Sequence, residues 1–210
     1  MFGITRDTAM AQKIWNPKTK TFEEPDVPPV PGTEEIETVA TRLRETSFDI
    51  AATLRTLLSS ELMFDPRVYR ARIKSPVEFV MSVARPLDLR VSAPVLAETT
   101  DQMGQRLFEP PSVKGWDGHR SWLNSATMLV RLNSVTAAVL HPKRFDSTVL
   151  LEELPDRETK TIIDDLCTLT LDGEVPSALR RDLMQLEGSS EQLIRAALRL
   201  LMSSPEFQLA

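Results

Sequence analysis

The chain has 210 residues, 41 per cent apolar and 26 per cent charged. This is ordinary globular composition and excludes disorder throughout. The net charge of −5 speaks against a dedicated nucleic-acid binder, and one cysteine excludes a disulfide framework or a cysteine-cluster metal site. With 15 prolines but only 7 glycines, a turn-rich sandwich, barrel or propeller is not expected.

Residues 1–32 contain Pro17, Pro25, Pro28, Pro29 and Pro31. Proline at this density continues neither a helix nor a strand, so the segment reads as an extended, irregular arm. Trp15 and Phe22 are placed to pin it to the body; the alternative is a mobile tail. The first residues mix Arg6, Asp7, Gln12 and Lys13 with single apolar ones. They offer no apolar run of a secretion signal, and no stretch approaches the ~18 apolar residues of a membrane span. The sequence as written therefore reads as cytoplasmic.

From Thr33 to Ala210 the pattern is helical. Thr33 caps a first helix with the stripe Ile36, Val39, Ala40 and Leu43, and Ser47 caps a second through Ala51, Leu54, Leu57 and Leu58. Asp65-Pro66 opens a short turn with Val68 and Tyr69. Ser75-Pro76-Val77-Glu78 is a capping box with proline at the first helical position, and its helix buries Val77, Val80, Met81 and Ala84 before Pro86. A further helix is expected from Pro94 to Phe108, with Leu96, Met103 and Leu107 inward. Residues 109–121 form a loop. Trp122–Leu140 has the spacing of a buried helix, with Leu129, Leu132, Thr136 and Val139 on one face, and His141-Pro142 stops it. Asp156 caps a helix through Ile162, Ile163, Leu166 and Leu169, on which Cys167 is a small core residue. Pro176–Glu187 follows, and Ser189 to Gln192 is a capping box for a last helix with Leu193, Ala197, Leu198 and Leu201. The expectation is all-α: an irregular domain of about seven to nine helices behind a Pro-rich arm. Ile50–Ser60 and Ile194–Ser204 also echo each other, each followed by a phenylalanine. The echo reads either as chance among Leu/Ala helices or as an old duplication.

The loop concentrates unusual residues. Pro110-Pro111 stiffens its entry, Gly115 and Gly118 bracket Trp116-Asp117, and Lys114, His119 and Arg120 supply charge. It reads either as a connection pinned by Trp116 and Trp122 or as an aromatic-walled pocket with polar tips. Asn124 and Arg131, seven apart on the next helix, share a face and need partners, for which Gln105 is a candidate. The candidate binding surface is thus Gln105, Lys114, Trp116, Asp117, His119, Trp122, Asn124 and Arg131. Asp117, His119 and Ser121 lie too close together in sequence for a triad. No His/Cys/carboxylate spacing suggests zinc and no glycine loop suggests phosphate. No catalytic residue, metal or cofactor is assigned. The basic run Arg67, Arg70, Arg72 and Lys74 is a solvated face or an anion or partner contact.

Several segments follow in a familiar order: Ile73–Phe79, Gly104–Phe108, Pro110–Trp116, Trp122–Ser125, Leu129–Asn133 and Ser203–Gln208. Together they resemble the C-terminal half of the bacterial domain-of-unknown-function family 1800, from about Thr33 to Ala210. Similar endings occur in other uncharacterised families of planctomycete-type bacteria, the second assignment. The resemblance implies a helical protein without an established activity, often exported and about twice this length. This chain then looks truncated, and an envelope or exported location follows if its start is incomplete. Arg85-Pro86 departs from the family's helix continuation. Two functions stay open. One is a non-enzymatic helical interaction or scaffold protein, bound to a partner or to itself through exposed apolar helix faces. The other is part of an enzyme, such as a hydrolase, whose site a missing N-terminal half would complete.

Overall fold

A computed structural model of the chain describes residues 14–16, 21–23, 32–64, 69–153 and 158–210. The chain divides into two compact units, Met1–Ala71 and Arg72–Ala210. Among the described residues it is helical, with one short ladder near the start, and no helix is long and apolar enough to cross a membrane.

In the first unit, β1 (Ile14–Asn16) pairs antiparallel with β2 (Thr21–Glu23), Trp15 opposite Phe22. Three-residue strands are too short to show an alternation in sequence. The side chains of Trp15 and Phe22, expected as anchors, lie outside those described, as do the turn at Asp65-Pro66 and the cap at Asp156. α1 (Thr33–Glu45) starts one residue earlier than a Thr33 cap would have it. Gly32 is the cap, and the Glu35 carboxylate reaches back to its N–H. The expected cap Ser47 instead takes a left-handed turn with Phe48, and Asp49 caps α2 (Ile50–Leu58), its Oδ1 accepting from Ala52 N at 3.1 Å. α2 packs on α1 and buries Thr53, which leaves the stripe Ile50, Leu54 and Leu58 exposed.

In the second unit, α3 (Pro76–Ala84) begins at the expected capping box. Ser75 Oγ accepts from Glu78 N, and Glu78 Oε2 accepts from Ser75 N at 2.8 Å. α4 (Ala93–Gln102) is followed by a long loop with a 3-10 turn at His119–Trp122, then by α5 (Ser125–Leu140). α6 (Ser147–Glu153), α7 (Thr159–Leu171), α8 (Ser177–Met184) and α9 (Ser190–Ser203) complete the set, and a last 3-10 turn spans Glu206–Gln208. The sequence pattern does not show α6, whose seven residues are barely two turns.

α9 is the central helix. It packs on α5, α6, α7 and α8 and buries Leu193, Ile194, Ala197, Leu198, Leu201 and Met202. Removing that stripe from water contributes on the order of 10 kcal/mol, an upper figure because the unfolded chain already buries some of it. α7 supplies Ile162, Ile163, Leu166 and Cys167 to the same core, and burial raises the Cys167 thiol pKa. Arg195 of α9 ties down the end of α5: its guanidinium donates to Val139 O and Phe145 O. α5 buries the expected face only in part: Val139 is fully buried and Leu132 and Thr136 half-buried, but Leu129 is exposed, and Thr127, Arg131, Val135 and Ala138 are buried as well. The reason lies in the partners that meet Arg131.

Candidate functional site

The loop begins earlier than the pattern implies. α4 ends at Gln102 rather than Phe108 because Gly104 takes a left-handed turn (φ 90°). That turn sends Gln105 N–H back to Thr100 O at 2.9 Å. Met103 is buried as expected, but Leu107 is exposed, and Phe108, also left-handed (φ 64°), is 96 per cent exposed. Gly115 and Gly118 have the positive φ expected of them.

The eight candidate residues separate into three groups. Lys114 Nζ donates to Asp117 Oδ1 at 2.8 Å, with both side chains more than three-quarters exposed. Their mutual hydrogen bond lowers the Asp117 pKa and raises that of Lys114. His119 is exposed on the same loop and Trp116 half-buried. Trp122 and Asn124 form the root of α5. Trp122 is buried, and its carbonyl accepts from Thr127 Oγ1 at 3.0 Å. Asn124 is the helix cap, its Oδ1 accepting from Ala126 N and Thr127 N. Gln105 and Arg131 both serve the start of α3. Gln105 Oε1 accepts from Val77 N at 3.0 Å, an orphan donor of the first turn.

Arg131 is wholly buried. It donates from Nη1 to Gln208 Oε1 at 3.1 Å and from Nη2 to Lys74 O at 2.8 Å. Its guanidinium carbon lies 4.7 Å from the centroid of the Phe79 ring. Nε has no partner. Desolvation lowers the pKa to about 10, so the group stays cationic at neutral pH, held by carbonyl dipoles and a ring face. Gln208 is itself oriented, its Nε2 donating to Ser204 O at 3.2 Å.

Around this cation the C-terminus is strapped to the segment before α3. Lys74 N donates to Gln208 O (2.8 Å), Ala210 N to Arg72 O (2.6 Å), and Ile73 pairs with Leu209. Lys74 Nζ donates to Phe207 O at 2.9 Å and lies over the Phe207 ring, which meets Phe79 edge-on. Arg72 binds Glu78 through two hydrogen bonds of 2.7 and 2.5 Å. The basic run is thus used in part for structure. The residues missed as a cluster are Lys74, Phe79, Phe207 and Gln208. Their signal was the ordered motifs at 73–79 and 203–208, which no periodicity connects.

The converging segments lie within residues 23–209, which match the family model described as Protein of unknown function (DUF1800). The chain belongs to this family. No curated protein matches it, and no solved structure does. Four of the segments on which the resemblance rests, at 73–79, 104–108, 129–133 and 203–208, contribute Lys74, Phe79, Gln105, Arg131, Phe207 and Gln208 to the strap and the first turn of α3. In this chain those residues have a structural use. Among the described residues, no group of three or more His, Cys, Asp or Glu is placed to hold a metal.

Proposed function

We propose that the chain is a helical interaction protein that presents apolar side chains to a protein partner. The observation that carries this reading is the display of Phe108 and Val113, both almost fully exposed, on a loop whose two ends are fixed. One end is held by Met103 and Gln105, the other by Trp122 and Asn124. Single exposed apolar residues are ordinary. A phenylalanine held in the left-handed region and turned to water is not, and such positions persist where function or surrounding structure imposes them. Trp116 and the Lys114–Asp117 pair on the same loop supply the aromatic and polar elements that binding surfaces use.

The echo between α2 and α9 supports the same reading for the first unit. Ile194, Leu198 and Met202 are fully buried, whereas the corresponding Ile50, Leu54 and Leu58 are 69, 47 and 57 per cent exposed. That exposed stripe has the spacing of a helix that docks by one face.

The test is site-specific photocrosslinking in the native host, with p-benzoylphenylalanine at Val113 and, as control, at the exposed Arg181. The reading expects one recurrent protein adduct from Val113, lost in Phe108→Glu and absent at Arg181. Indistinguishable adducts from the two positions, or none at Val113, would overturn it.

A further inference from the structure

A cleft of about 350 Å³ lies in the second unit between α3, α4 and α5, within the size range of small-ligand sites. Along α5 it is lined by Val130, Ser134, Ala137 and Ala138, one face of the helix. Small residues there leave space that larger ones would fill against α4. The segments flanking α4 are tied elsewhere, Arg90 N donating to Arg144 O (2.8 Å) before it and Gln105 Oε1 accepting from Val77 N (3.0 Å) after it. Val95 and Leu96 form the α4 wall, and Phe79 and Val83 line the α3 side.

Arg144 stands beyond the C-terminal end of α5. Its backbone is fixed by donation to His141 O and acceptance from Arg90 N. Its side chain lines the cleft and is half-buried, yet no carboxylate pairs with it among the described residues. The neighbouring arginines do have partners: Arg90 meets Asp146 at 3.5 Å, and Arg195 holds two carbonyls. Thr99, Gln102 and Asn133 also line the cleft, the last two exposed; a half-buried guanidinium beside a cleft with such mixed walls is the complement of a carboxylate carried on an apolar body. The other charged lining residue, Glu98, is exposed on α4, where water screens it.

We propose that this cleft binds an anionic amphiphile, a medium-chain carboxylate whose head group pairs with Arg144 and whose chain lies between α4 and α5.

The experiment is calorimetric titration of the full chain with decanoate, decanol and decylamine at neutral pH. Saturable one-to-one binding of decanoate is expected, about tenfold weakened by Arg144→Gln with decanol binding unchanged. Filling the cleft by Ala137→Trp abolishes decanoate binding. Val95→Trp, a substitution at an exposed edge of the opposite wall, does the same and serves if Ala137→Trp does not fold. Parent-like affinity in a folded cleft-filling variant would overturn the proposal. So would tighter binding of decylamine than of decanoate, equal binding of decanoate and decanol insensitive to Arg144→Gln, or no saturable binding of decanoate.

Discussion

Replacing Arg131 with alanine removes a side chain that joins α5 to both the start of α3 and the C-terminus. Two acceptors lose their donors, Gln208 Oε1 and Lys74 O. A buried acceptor left unpaired costs ~1–3 kcal/mol, with Gln208 at the lower end because its amide can turn. Most of a fully buried side chain against Phe79 also disappears, and the remaining cavity adds ~2 kcal/mol. Relief from burying an uncompensated charge works in the other direction. The expected net loss is about 3–4 kcal/mol, out of ~5–15 for a domain. Arg131→Met keeps most of the volume and discards the charge, so it should cost only ~1–2 kcal/mol. Arg131→Lys keeps a charge that is harder to desolvate and lacks the planar fork, so it should resemble alanine. Guanidinium denaturation followed by far-ultraviolet circular dichroism ranks the three. A cycle with Gln208→Ala should give a coupling of ~1 kcal/mol. An Arg131→Ala protein within ~1 kcal/mol of the parent, or zero coupling, would refute the cluster as the link between these segments.

Trp122→Ala should destabilise by ~3–5 kcal/mol, as for a buried indole, and Trp116→Ala, half-buried, by clearly less; thermal melts of the pair check the order. Lys114→Ala should leave the melting midpoint unchanged, because its ion pair is solvated on both sides. The Arg72 hydrogen bonds hold Glu78 down to about 2. Its stabilisation is therefore complete above the ordinary carboxylate pKa and is lost as pH falls from about 4.5 towards 2. Glu78→Gln should flatten stability in that window, and less so in high salt because the pair is partly exposed. Phe207→Ala, which removes the edge-on partner of Phe79 and the ring under Lys74, should cost ~3–5 kcal/mol and expose the strap to proteolysis.

The all-helical fold and several helix ends were legible in sequence because the interactions that set them lie within one or two turns. Ser75 with Glu78, Ser189 with Gln192 and the His141-Pro142 stop each depend on residues at most a few positions apart, and each is found. The α9 stripe was legible too, since one face is apolar and the other is not. What failed was local competition and face choice. Gly104 ends α4 six residues before Phe108, and Gly32 and Asp49 take the caps expected of Thr33 and Ser47. On α5, leucines lie on several sides, and periodicity does not say which one faces the core. Tertiary structure decided this by burying an arginine: the partners of Arg131 are 57 and 77 residues away in sequence. A capping pair is settled by the geometry of a single turn. A buried cation is settled only when distant carbonyls and a ring arrive to replace its water, and that arrangement exists only in the folded chain.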